Sequence, residues 1–252
     1  MALFRQFSTL LATLLLASPL AVLADETPLT VETVVAKARS AVASDLAALD
    51  KVKTLSMEFV AYDLRGNPIN ETALTLVAPS LRLQKTTERN RNFEGIVCSG
   101  RLEGWTARRA DALASREIRS VPYEEFKKLQ DMARDDLAFF AIPAAGIGKA
   151  TYKGISDVEG HKAHAVEYAY ASGFLITRHF DVESFALVAS DQPTPKGGVQ
   201  RQTVESLTKV DGITFPAKET ITVDGQKSGS VTYDHIRINP AIPAGLFDFP
   251  SF

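Results

Sequence analysis

The chain has 252 residues, with 28 lysines and arginines against 30 aspartates and glutamates. This balance creates no global positive field, which excludes nucleic acid as an expected partner. A single cysteine, Cys98, excludes an intramolecular disulfide, so the fold must be held by its core alone.

The first 24 residues, MALFRQFSTLLATLLLASPLAVLA, read as a cleaved secretory signal peptide. They contain Arg5, an apolar stretch from Leu10 to Leu16, and small residues around Val22 and Ala24. The apolar run is shorter than the ~20 residues a membrane-spanning helix needs, and Pro19 interrupts it. Asp25 stands where a lipoprotein would carry its cysteine. The expectation is an exported, unlipidated protein in which residues 25–252 form one domain.

Residues 31–55 predict one long amphipathic helix: Val34, Val35, Ala38, Val42, Leu46 and Leu49 recur at three- and four-residue steps. Thr30, three residues before Thr33, is a partial cap. From Leu55 the period becomes two, with Leu55, Met57, Phe59 and Ala61 alternating with Ser56 and Glu58 as in a half-buried strand. Gly66, Asn67 and Pro68 then predict a hairpin turn. Strand-like runs follow at 72–78, 80–86, 93–99, 104–109, 150–158, 161–171, 173–181, 185–191, 199–210, 213–223 and 229–239. The short joins, rich in Gly, Asp, Asn and Pro, predict an antiparallel meander. One interruption, residues 120–148, has Pro122 at a helical start and Phe126, Leu129, Met132 and Ala133 on one face. Pro143 and Gly146 break it, so a second helix or helix pair is expected there. A large sheet that is apolar mainly on one face needs a cover. The expected class is therefore α+β, a curved antiparallel sheet with a helical lid enclosing an apolar cavity.

Reactive residues are sparse. His161 and His164, near Asp157 and Glu159, invite a metal site, but residues three apart on a strand face opposite sides. His179 and His235 are isolated in sequence, and no GxSxG elbow supplies a nucleophile, although a triad assembled from distant residues stays open. Cys98, in GIVCS, reads as a small buried hydrophobe. GIGKAT fails as a phosphate loop because Pro143 and Ala150 occupy the positions that need Gly and Ser or Thr. No catalytic residue, metal or cofactor is expected. Arg82, Lys85, Arg89 and Arg91, with Arg101, Arg108 and Arg109, give the first half a basic bias that reads as a solvated face or as a contact for lipid headgroups or an acidic partner.

The order of these features resembles the LolA-like outer-membrane lipoprotein-sorting proteins of the bacterial periplasm. The resemblance rests on LDKVKTLSMEFVAY, LTLVAPSLRLQKT, VCSGRLEGWTA, YKGISDVEGHKAHAVEYAY, HFDVESFALV, VDGITFPAKETITVDG and VTYDHIRINPAIPAGLFDFP, in that order behind the signal segment. It implies an incomplete antiparallel β-barrel with a helical lid over a hydrophobic cavity. It also implies a monomeric periplasmic carrier of a lipid or lipoprotein acyl chain, working between inner- and outer-membrane envelope proteins. The alternative within the same fold is an interaction or sensor module without lipid transfer. The sequence departs from the carrier pattern at Ala78, where a basic residue before the proline ties the lid to the barrel; Arg82 lies close by as a candidate lid or headgroup contact. Alternation places Met57, Phe59, Leu74, Leu76, Leu81, Leu83, Ile96, Trp105, Val166, Tyr168, Phe174 and Ile176 on candidate inward faces, as cavity wall or as ordinary core.

Overall fold

The computed structural model describes residues 29–88, 93–111 and 113–250. The export segment lies outside the described residues, as do Arg89 and Arg91 of the basic run. Helix α1 (Val31–Val42) starts at Thr30, whose hydroxyl accepts from the Thr33 amide at 3.3 Å. The single helix expected over 31–55 is divided. Ala43 turns extended, and Asp45 opens a second helix, α2 (Leu46–Asp50), by accepting from the Ala47 amide at 3.0 Å. An aspartate that can bond the backbone ahead of it makes a new start cheaper than helix continuation, even where the apolar period runs on.

Two meanders then build one sheet. The first comprises β1 (Thr54–Tyr62), β2 (Pro68–Val77), β3 (Leu81–Glu88), β4 (Phe93–Ser99), β5 (Gly104–Arg109) and β6 (Glu117–Ser120). After α3 (Tyr123–Ala138) comes the second: β7 (Gly148–Val158), β8 (His161–Tyr170), β9 (Leu175–Asp181), β10 (Leu187–Pro193), β11 (Val199–Val210), β12 (Ile213–Val223) and β13 (Gln226–Ile238). The strand order is β6-β5-β4-β3-β2-β1-β13-β12-β11-β10-β9-β8-β7, antiparallel throughout. The last strand thus returns to pair with the first, and β6 and β7 remain as edges, so the curved sheet does not close. The short strand β6 was not expected from the sequence. The region expected as one or two helices is the single helix α3.

Register decides which residues face the concave side. Leu55 and Met57 lie opposite Leu76 and Leu74, and these lie opposite Arg82 and Gln84. Arg82 and Gln84 therefore point inward and Leu81 and Leu83 outward, because side chains alternate across a strand. Leu83 pairs with Cys98, Cys98 with Trp105, and Lys85 with Ile96. The expectation that Leu81, Leu83, Ile96 and Trp105 face inward is corrected: they form a separate cluster on the convex face. Ile242, Leu246 and Phe247 of the C-terminal segment pack against that cluster. The convex face of this half is apolar because the chain end supplies a second layer over it. Cys98 is fully buried there, and burial pushes its thiol up to about 12.

The concave side holds two further clusters. One joins Val42, Leu49, Leu55, Leu76, Ala133 and Phe215. The other joins Val34, Ala38, Val166, Tyr168, Ile176 and Phe180. Between them α3 ends in two consecutive residues of left-handed conformation, Phe139 (φ 46°) and Phe140 (φ 69°). Arg39 of α1 donates to the carbonyls of Ala138 and Phe139 at 2.6 and 3.2 Å, meeting helix-end acceptors that would otherwise be orphaned. Tyr168 donates to the Phe140 carbonyl at 2.9 Å. The turn directs the Phe139 ring onto Phe215 and the Phe140 ring onto Phe180, at centroid distances of 6.1 and 5.0 Å. No helix among the described residues is long and apolar enough to cross a membrane.

The tail contact is directly testable. Phe247→Ala should lower stability by about 3 kcal/mol, the usual range for emptying a buried phenylalanine site. A urea midpoint would read this, together with a red shift of Trp105, the only tryptophan in the chain and a member of the same cluster.

Candidate ligand cavity

A cavity of about 450 Å³ lies between α3 and the concave face. That is within the ~300–1,000 Å³ of typical small-molecule sites. Its lining is apolar on one side, with Leu55, Met57, Phe59, Leu74, Phe215 and Val231, and amide-rich on another, with Gln84, Gln192, Gln200 and Gln202. The two sides come from different strands. Leu55, Met57 and Phe59 are the inward set of β1, whereas Gln192 and Gln200 are cross-strand partners on β10 and β11.

Of the residues read from alternation, Met57, Phe59, Leu74 and Ile176 line the cavity. Leu76, Val166 and Tyr168 face the same side but are fully buried in the adjoining clusters. Phe174 packs beside Tyr170, with ring centroids 5.5 Å apart. Leu81, Leu83, Ile96 and Trp105 are on the convex face. Arg82 reaches across to α3, where its Nη1 donates to Asp136 Oδ2 at 3.1 Å, while Nη2 donates to Gln84 at 2.9 Å.

The sequence reading missed the other charged groups of this site. Asp135, beside Asp136 on α3, receives both guanidinium nitrogens of Arg178 from β9, at 3.0 and 2.6 Å, and the Tyr170 hydroxyl at 2.8 Å. Burial alone would lower the Arg178 pKa, but the paired Asp135 outweighs it and holds the cation above its ordinary range. Asp136 keeps 39 % of its side-chain surface because it faces the void; enclosure by the protein still raises its pKa, with Arg82 opposing. On β12, Glu219 is 4 % exposed and accepts from the Tyr233 hydroxyl at 2.6 Å. Burial raises its pKa, against the pull of Tyr233 and Arg178. A signal for the helix pair was present: Asp135 and Asp136 fall three and four residues after Met132, on the same stripe as Phe126, Leu129 and Ala133.

On the convex face of the second half, three distant residues form a chain. Ser156 Oγ is 2.8 Å from His179 Nδ1, and His179 Nε2 is 3.0 Å from Asp191 Oδ2. This is the residue set of a serine hydrolase, assembled from β7, β9 and β10, and only strand pairing reveals it. Its setting is that of a structural strut. The His179 ring is buried between the cross-strand neighbours Ala165 and Ala189, away from the cavity. The Ser156 hydroxyl also donates to the Ala163 carbonyl at 3.2 Å. Asp191 is gripped at both oxygens by Arg201, at 2.7 Å each. His164, by contrast, is buried on β8 with Nδ1 2.9 Å from the Tyr152 hydroxyl, while His161 is exposed, so the two do not converge. A fluorophosphonate probe should leave Ser156 unlabelled; labelling abolished by Ser156→Ala would establish a nucleophile instead.

The strut also makes a pH prediction. Burial pulls the Asp191 carboxyl upward, but bonds from Arg201 and His179 outweigh it, leaving the group at about 2 against an ordinary 3.8. A depressed carboxylate stabilises the fold fully above its unfolded pKa, and that contribution fades as pH falls through the folded value. Between pH 3.8 and about 2 the native protein should lose on the order of 2 kcal/mol that Asp191→Asn never has. Urea midpoints of the two proteins across acid pH would converge if this holds.

No protein-family model and no curated protein sequence matches the chain. Solved structures do. A DUF1329 family protein from Desulfovibrio piger superposes with TM-score 0.54 at 12 % identity, over 87 % of this chain and 97 % of that one. A domain proposed for outer-membrane lipoprotein sorting, from Vibrio parahaemolyticus, gives 0.53 at 12 %, over 86 % and 97 %. A LolA superfamily protein from Nitrosomonas europaea gives 0.45 at 10 %, over 88 % and 98 %. At these identities the likeness of the first two speaks to architecture. With an unclosed, curved sheet of thirteen antiparallel strands and α3 over its concave face, this chain shares the fold of the Desulfovibrio and Vibrio proteins.

Proposed function

We propose that this protein is a periplasmic binding protein that carries a lipid or lipoprotein acyl chain in its half-barrel cavity, as a monomer, between partner proteins of the envelope. One observation carries the reading: a cavity of about 450 Å³ whose apolar wall, from Leu55 to Val231, lies under a helix tied to the sheet by side chains. Each methylene kept from water is worth ~0.8 kcal/mol, so a chain crossing an aqueous compartment needs such a shield. The sorting role proposed for the Vibrio domain of the same fold supports delivery to the outer membrane as the purpose of the carriage. The apolar segment before Ala24 supports export. The site binds and releases; it needs no cofactor and performs no chemistry.

Release requires the helix to move. Arg82–Asp136 is the more accessible of the two ties to α3, and in this reading Arg82 is the latch, in place of the basic residue absent at Ala78.

The delipidated protein should bind an environment-sensitive fatty-acyl probe, and Met57→Trp, which fills the apolar side, should weaken that binding roughly tenfold without unfolding the chain. Arg82→Ala should speed probe release measured by stopped flow. A protein that ignores every acyl probe, and whose purified material yields no lipid on native mass spectrometry, would overturn the reading.

A further inference from the structure

Three carboxyl groups but only two guanidinium groups line the cavity among the described residues: Asp135, Asp136 and Glu219 against Arg82 and Arg178. Both arginines already hold a carboxylate, and the one Arg178 nitrogen left without a partner, Nε, is buried. Arg178 holds Asp135 with two nitrogens, and Arg82 is divided between Asp136 and Gln84. Glu219 is left without an ion pair among the described residues; its Oε2 accepts from Tyr233, and no donor meets Oε1. The residue is 4 % exposed and lines the void, where a hydrogen-bond donor on a ligand would meet an acceptor.

The neighbouring polar wall has the same character. Gln202 lies on β11 opposite Ile221, two residues along β12 from Glu219, and Ser190 lies opposite Gln202 on β10. These groups are neutral, and an amide offers donors as well as an acceptor. A chain that entered with a free carboxylate would find both guanidinium groups already paired with carboxylates, and a further carboxyl, Glu219, that neither arginine pairs directly. A head with an N–H or O–H would find an acceptor already in place.

We propose that the cavity selects chains whose polar end donates a hydrogen bond and carries no negative charge, namely an amide, hydroxyl or ammonium head, with Glu219 as the acceptor, and rejects free fatty acids. This rests on the acyl-binding reading and narrows its ligand class. The mechanism is like-charge repulsion beside the protein interior, where water screens it less than in bulk.

The test is displacement of a bound acyl probe from the delipidated full chain, at alkaline pH to favour the Glu219 carboxylate, by three competitors of equal chain length: palmitate, N-palmitoylethanolamine and hexadecylamine. The amide and the amine should displace at roughly tenfold lower concentration than palmitate. Glu219→Gln, which keeps the shape and removes the charge, should reduce that preference to about twofold, chiefly by improving palmitate. Tyr233→Phe keeps the carboxylate and should keep the preference, which separates a charge effect from a general disturbance of the cavity. Equal displacement by all three competitors, or a preference unchanged in Glu219→Gln, would overturn the head-group selectivity while leaving acyl binding intact. Failure of all three to displace the probe would overturn both readings.

Discussion

Two consecutive carboxylates on one helix, each held by an arginine from a different part of the sheet, set the geometry on which the cavity depends. Arg82 stands on β3 of the first meander and Arg178 on β9 of the second, so Asp136 and Asp135 bind α3 to both. Arg39 adds a third guanidinium at the C-terminal carbonyls of the same helix. Burying such pairs gives little net stability, because desolvation offsets most of the attraction. What it gives is placement. Rotating α3 or sliding it by one residue would leave a carboxylate and a guanidinium enclosed without partners, which costs far more than the pair contributes. The helix is therefore held in one register over the concave face, and the Phe139 and Phe140 rings are delivered to their sites as a result.

The two ties differ in a way that bears on movement. Asp135 is 2 % exposed, with Arg178 at 7 %, whereas Asp136 keeps much of its surface toward the cavity. Separating Arg82 from Asp136 exposes charges to a space that water or a ligand can enter, and separating Arg178 from Asp135 does not. Opening of α3 should begin at the Arg82 side, as expected for the less buried end of a cooperative contact.

The sheet carries apolar layers on both faces, and this explains what alternation could and could not tell. Met57, Phe59, Leu74 and Ile176 were legible as cavity wall because the period of two in their strands has one apolar set each. In LRLQKT the alternation puts either Leu81 and Leu83 or their neighbours inward, and the sequence reading has the leucines inward. Hydrophobicity favours the first, and the structure takes the second, because Phe247 and its neighbours return to cover the leucines outside while Asp136 meets Arg82 inside. Ser156, His179 and Asp191 illustrate the same point from another side. They are far apart in the chain, and only the pairing of β7, β8, β9 and β10 sets them in line.

Local patterning by itself determined the elements: a helix at Val34, Val35, Ala38 and Val42, eleven of the strands after β1, a helix between the meanders, and a curved antiparallel sheet under a lid. Those follow from period, turn residues and caps, which act over a few residues and can be read in order along the chain. Only the tertiary structure decided that the cavity is amphipathic, that Asp135, Asp136 and Glu219 share it with two arginines, and which face of β3 to β5 looks inward. A charged residue on an apolar stripe is unfavourable taken alone, and what makes it favourable is a partner brought from another part of the chain. That partner is supplied by long-range register, which no local period contains.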